Sequence, residues 1–112
     1  MSAPTGVMRV QLQQQAGGRT VHHGSRVLRT AGGVTVQELV AALQELRASP
    51  AIPAREQGAA DVALANAARW VRDRPPTGVD GRFSRSFYFD RSQPRSSWRF
   101  DIEGLAGTNL RS

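Results

Sequence analysis

A chain of 112 residues, of which 39% are apolar, can build one small domain around one core. All 15 basic residues are arginine, the 9 acidic residues leave a net charge of +6, and cysteine is absent. Without lysine or cysteine, the chain cannot use a phosphate-loop lysine, a Schiff base, a thiolate nucleophile, a disulfide or a cysteine–zinc site. Residues 1–6 do not resemble a signal peptide, and no segment is apolar enough to span a bilayer. We therefore expect a cytoplasmic protein that has no membrane partner and no cofactor.

The first predicted element is a β-hairpin within the first 30 residues. Apolar and polar residues alternate over residues 8–13, which is the period of a strand with one buried face. Gly17 and Gly18 indicate the turn, and residues 19–23 continue as the return strand. A Gly-Ser pair then interrupts the pattern, so residues 26–30 are expected to form a separate piece of strand.

Two helices are predicted to follow. Thr35 and Glu38 have the spacing of a capping box, in which each side chain satisfies the backbone N–H of the other residue. Apolar residues then recur at helical spacing until Pro50 ends the helix. The second helix is expected to begin near Pro53, a residue suited to a first helical position, and to run to about Arg74. Its predicted inner stripe is Ala60, Leu64, Ala67, Ala68 and Val71.

A second hairpin is predicted from residues 82–90 and 97–103. In both segments aromatic or aliphatic residues alternate with polar ones, so each predicted strand has one buried face. If the last residue of the first strand faces the first residue of the second, the large side chains meet across the hairpin. The expected cross-strand neighbours are Phe87 with Phe100 and Phe89 with Trp98.

These elements predict an α+β fold in the order ββααββ, in which the two hairpins form one antiparallel sheet and both helices pack on one of its faces. We expect a flexible N-terminus (1–6), a single domain (7–103) and a C-terminal tail (104–112). The alternative is a winged helix, in which residues 91–96 would enter a minor groove. The connection between the two helices is longer and richer in proline than a helix–turn–helix turn, which favours the open-sheet fold.

Positive charge is concentrated in the predicted strands. Residues 1–37 carry +4 with no acidic residue, residues 38–81 carry −1, and residues 82–112 carry +3. With helices on one face, the other face of the sheet would be polar and basic, and could bind phosphate or an acidic protein. Trp70 lies between two arginines and is either an interface anchor or the edge of the core. The candidate partner- or phosphate-binding residues are Arg9, Arg19, Arg26, Arg29, Trp70, Tyr88, Arg91, Arg95 and Arg99.

No catalytic or metal-binding residue is assigned. His22 and His23 are neighbours on a predicted strand, so their side chains should point to opposite faces, and no third histidine exists. Asp101 and Glu103 are interpreted as ion-pair partners of Arg99 and of the region around Arg85.

Three functions remain open from the sequence. The leading hypothesis is a non-enzymatic basic module that binds an acidic protein partner or joins a larger complex, and self-assembly is compatible with it. The alternative is a nucleic-acid-binding regulator that uses the basic N-terminal hairpin. A small arginine-rich ribonuclease is the third hypothesis, and it requires arginine, histidine and Tyr88 to converge in one cleft.

Overall fold

The computed structural model describes residues 5–31, 34–73, 83–90, 98–104 and 110–111. A four-stranded antiparallel sheet and two helices dominate the fold, which confirms the predicted α+β class. The elements in chain order are β1 (Thr5–Ala16), β2 (Arg19–Ala31), β3 (Val34–Thr35), α1 (Val36–Arg47), a 3-10 helix (Ala54–Glu56), α2 (Gln57–Asp73), β4 (Phe83–Tyr88), β5 (Trp98–Gly104) and β6 (Leu110–Arg111). The strand order in the large sheet is β2-β1-β5-β4.

The first hairpin pairs β1 with β2 along its whole length. Its two-residue turn holds Gly17 at φ 57° and Gly18 at φ 77°, a left-handed backbone that glycine adopts without steric cost. The prediction that β2 breaks at Gly24 is wrong, because β2 runs on unbroken to Ala31. Gly24 instead gives space to α1: a Cβ at this position would lie 3.3 Å from Leu46 Cδ2.

Replacing Gly18 with alanine is expected to cost about 1–2 kcal/mol of stability, because an L-residue must then adopt the left-handed region. The matched control is Gly58→Ala, since a Cβ there meets nothing within 4 Å and Gly58 lies inside α2. That change should stabilise the protein by about 0.5–1 kcal/mol. Urea unfolding of both variants measures the two changes in stability. Equal effects of the two substitutions would contradict the requirement for glycine at position 18.

The helices begin close to where the sequence places them. Thr35 caps α1: its Oγ1 accepts from Glu38 N–H at 3.1 Å, while Thr35 N–H donates to the Glu38 carboxylate at 3.2 Å. The predicted capping box is therefore confirmed. After Pro53 the chain first forms the 3-10 helix and then α2, whose buried stripe includes Ala63 where the sequence analysis expected Leu64.

The second hairpin has the predicted register. Phe87 pairs with Phe100 across β4 and β5, and Phe89 N–H donates to Trp98 C=O at 2.9 Å. Its aromatic side chains join the inner faces of β1, α1 and α2 in one core. The fully buried large side chains of that core are Phe100, Met8, Leu12, Leu39, Leu43, Ile102, Val10, Val34 and Val71.

The order ββααββ is incomplete, because two short strands form a second sheet. β3 pairs in parallel with β6, with Val34 opposite Leu110 and Thr35 opposite Arg111. This pairing joins part of the segment expected to be a tail to the residues just before α1. The second hairpin is also not a separate wing, since β5 pairs with β1 and so joins the two hairpins into one sheet.

Candidate functional site

The face of the large sheet opposite the helices, called the open face here, carries the predicted polar side chains. These side chains line a shallow depression of about 400 Å³. Tyr88 is half-buried there. The lining of the depression consists of Arg9, Gln11, Gln13, Ser84, Ser86, Tyr88, Arg99, Asp101 and Glu103.

Asp101 is the centre of a hydrogen-bond network on the open face. Its Oδ2 accepts from Gln13 Nε2 at 2.5 Å and from Arg99 Nε at 3.0 Å, and its Oδ1 accepts from Ser86 Oγ at 2.6 Å. The side chains of Arg99 and Asp101 are only 16% and 17% exposed. This confirms the expected pairing of Asp101 with Arg99 and ties β1, β4 and β5 together through one carboxylate.

Glu103 pairs with Arg9 rather than with the region around Arg85. Arg9 Nη2 lies 2.5 Å from Glu103 Oε2, and both side chains are partly exposed. The expected role of Arg85 is wrong because Arg85 pairs with the buried Ile102, which places it on the helix side of the sheet. The two arginines and two carboxylates at the centre of the open face therefore compensate each other.

The four arginines of the first hairpin do not form one patch. Cross-strand partners share a face, so Arg29, opposite Val7, lies on the open face with Arg9. Arg26 is opposite the buried Val10 and forms an ion pair with Glu45 of α1 on the helix side. Arg19 is exposed at the turn end of β2, opposite Ala16. Within the part of the chain that the structure describes, Arg19 and Arg29 form no ion pair.

Trp70 lies at the edge of the core. Its ring is half-buried and packs 5.7 Å from the Phe87 ring, and the Arg85 guanidinium lies 5.4 Å from the Trp70 ring centroid. This geometry favours the core-edge interpretation over an interface anchor. The other two candidates from the sequence, Arg91 and Arg95, lie outside the described residues.

The two histidines are separated as expected. His22 lies opposite Gln13 on the open face, whereas His23 stacks on Trp98 with ring centroids 4.3 Å apart and hydrogen-bonds Gln14 Oε1 at 3.0 Å. A β-bulge lies at the same position, since β1 passes from Leu12 to Gln13 while β2 skips His23. No group of three potential metal ligands occurs among the described residues.

One feature of the site was missed by the sequence analysis: the outer edge of β2. In the strand order β2-β1-β5-β4, β2 has a neighbour on one side only among the described strands. A groove of about 480 Å³ follows this edge, between β2 and α1. Local sequence patterns do not reveal such an edge, because strand order is set by contacts between distant segments. The groove is lined by Ser25, Arg26, Val27, Leu28, Glu38, Ala41, Ala42 and Glu45.

The fold and the site together define a class of protein: a small α+β domain with a helix-covered sheet, a charge-compensated open face and an arginine-bearing edge strand, β2, that has no outer neighbour among the described strands. No protein-family model, curated protein or solved structure matches this chain. In the described part of the chain, no helix has the length and apolarity needed to cross a membrane.

Proposed function

We propose that this chain is a non-enzymatic binding module whose basic first hairpin, Thr5–Ala31, engages an acidic protein partner. The observation that carries the proposal is the uneven compensation of charge. Arg9, Arg26 and Arg99 have carboxylate partners, whereas Arg19 and Arg29 are exposed and have none among the described residues. The hairpin contains no acidic residue of its own. Its surplus positive charge is thus available to an external carboxylate.

The polar network supports binding rather than catalysis at the open face. Asp101 and Glu103 are both occupied by arginine, and the His23 ring is stacked on Trp98. His22, Gln13, Arg99 and Tyr88 do share one row across the four strands. A ribonuclease would need a free arginine in that row, and the Arg99 side chain is already paired and 16% exposed.

A protein partner is favoured over nucleic acid for two reasons. Faces that bind single strands use several aromatic rings for stacking. Among the described residues, Tyr88 and the imidazole of His22 are the aromatic rings on the open face, and neither Phe nor Trp lies there. A phosphate-binding surface also needs arginines that are free to contact the backbone, and two of those on the open face are neutralised by Asp101 and Glu103.

The proposal predicts that binding of an acidic peptide depends on Arg19 and Arg29. The probe is a fluorescently labelled peptide of about twelve residues in which Glu and Val alternate. Fluorescence anisotropy measures its affinity for the protein. Two exposed ion pairs at about 0.5–1 kcal/mol each correspond to about five- to thirtyfold weaker binding in the variant Arg19→Gln/Arg29→Gln. The matched control, Arg55→Gln/Arg69→Gln, removes the same charge from exposed positions on the 3-10 helix and α2.

Oligonucleotides provide the competing arm of this experiment. Single- and double-stranded probes are titrated at about 50 mM and about 200 mM salt, between which six or more phosphate contacts would cost about 10³-fold or more in affinity. The proposed function is wrong if the oligonucleotides bind with that salt dependence and the peptide does not bind. It is also wrong if both double variants weaken peptide binding equally, because net charge alone would then explain the affinity.

A further inference from the structure

We infer that the acidic partner binds as an added β-strand along the outer edge of β2, with alternate side chains entering the groove between β2 and α1. The inference rests on the proposed function and specifies its binding mode and the pattern of the partner segment. In this mode, backbone hydrogen bonds to the free edge supply affinity, and pockets beside the edge select the side chains.

The edge is long and in part apolar. β2 has 13 residues and is paired with β1 over its length, so its backbone is already held in the extended conformation that an added strand requires. Val21 and Val27 on this strand are 39% and 52% exposed. Sheets usually protect such an edge by short strands, prolines, charged side chains, bulges or a covering element. β2 has a bulge at His23 and three arginines, which disfavour pairing with a strand of like charge. β2 contains no proline, and no described strand pairs with its outer side.

The groove beside the edge suits small apolar side chains. Its apolar lining consists of Val27 and Leu28 of β2 and Ala41 and Ala42 of α1. Ala41 is exposed, Leu28 is half-buried and Ala42 is buried, so the groove opens to solvent above a closed floor. The ion pair between Arg26 and Glu45 joins β2 to α1. That pair is internally neutral, and the other charged residue of the lining is Glu38, whose carboxylate accepts from Thr35 N–H. The groove side of an added strand therefore meets no excess of positive charge and favours uncharged side chains.

The two faces of an added strand would meet different chemistry. A residue opposite Arg29 would share its face, and Arg29 is exposed on the open face beside Val7 and Arg9. Residues of the added strand that lie beside Arg29 on that face should therefore be acidic. Their neighbours along the strand would point to the groove side and should be small and apolar. The partner segment is thus an extended stretch in which acidic and small apolar residues alternate.

Charge argues against a second copy of this chain as the occupant. β2 carries Arg19, Arg26 and Arg29 and no acidic residue. A second β2 would bring the same three positive charges to the edge, with no acidic residue on that strand to pair with them. Like charges across a strand pair are destabilising, whereas a Glu-containing segment would place opposite charge there.

The first test uses the alternating Glu/Val peptide in three forms: unmodified, N-methylated on every Glu, and N-methylated on every Val. In an added strand the amides of only one of these two residue sets face β2. Strand addition therefore predicts that one methylated peptide loses at least about tenfold in affinity while the other binds nearly as well as the unmodified peptide. Similar affinities for both methylated peptides would overturn strand addition.

The second test fills the groove. Ala41→Trp places a large side chain at an exposed groove position, and Ala65→Trp makes the same change at an exposed position of α2 outside the groove. The expected result is at least about tenfold weaker peptide binding for Ala41→Trp and less than about twofold for Ala65→Trp. Unchanged binding in Ala41→Trp would overturn the use of the groove.

The outcomes separate this inference from the proposed function. If the unmodified peptide binds and depends on Arg19 and Arg29, but neither methylation nor Ala41→Trp matters, the proposed function stands and strand addition fails. If no acidic peptide binds, both fail. Sedimentation at tens of micromolar protein is expected to show a monomer. A dimer that Ala41→Trp dissociates would assign the edge to a second copy and overturn the inference.

Discussion

Replacing Phe100 with alanine is expected to lower the free energy of unfolding by about 3–5 kcal/mol, the range for removing a buried phenylalanine. Phe100 is 0% exposed, and β5 places it between Leu12 of β1 and Phe87 of β4. Its ring also lies 5.1 Å from the Phe89 ring. Helix α2, which covers part of this core, presents mainly alanines to it. Their short side chains cannot reach into the space left by the lost ring.

Urea unfolding, monitored by circular dichroism, measures this loss of stability. The control is Val27→Ala, since Val27 lies on β2 and is 52% exposed, so its loss should change stability by no more than about 0.5 kcal/mol. A Phe100→Ala effect below about 1 kcal/mol would mean that this ring is not at the centre of the core.

The second large effect is expected at Asp101. Replacing Asp101 with alanine should lower the free energy of unfolding by about 2–3 kcal/mol. One carboxylate accepts from Gln13, Ser86 and Arg99, and hydrogen bonds to a charged group contribute about 1.5–3 kcal/mol. The larger part of the loss comes from Arg99, whose side chain is 16% exposed and would be left without its counter-charge.

Glu103→Ala is the matched control for Asp101→Ala. Glu103→Ala breaks the ion pair between Arg9 and Glu103, whose side chains are 43% and 35% exposed, respectively. It should lower the free energy of unfolding by no more than about 1 kcal/mol. Asp101→Asn keeps one acceptor oxygen, so its stability should lie between those of the wild type and Asp101→Ala. Equal losses for Asp101→Ala and Glu103→Ala in thermal unfolding would contradict the central position of Asp101 in the network.

These two residues explain why charge composition alone is a poor guide to this surface. From the sequence alone, Arg9 and Arg99 are expected to be available for a partner. Strand pairing brings Glu103 beside Arg9, and it closes the network around Asp101 that holds Arg99. Of the four arginines of the first hairpin, the two without carboxylate partners among the described residues, Arg19 and Arg29, lie on the edge strand β2.

Local sequence chemistry determined much of the fold. The capping box at Thr35, the two-glycine turn and the Phe87–Phe100 register depend on residues close together in the chain, so their patterns are readable before any tertiary contact forms. The alternation of polar residues likewise placed Tyr88 and Arg99 on the open face. These features follow from backbone conformation and side-chain periodicity.

Only the tertiary structure decided which of those residues are available to a partner. The β1–β5 pairing joins segments about ninety residues apart, and no local pattern specifies it. That pairing places Glu103 beside Arg9 and leaves β2 as an edge. The packing of α1 next to β2 forms the groove. The sequence by itself determined the two helices, the two hairpins, most of their buried faces and the excess of arginine. Long-range strand pairing decided where that positive charge is cancelled and where it stays exposed, because cancellation needs an acidic residue close in space rather than close in sequence.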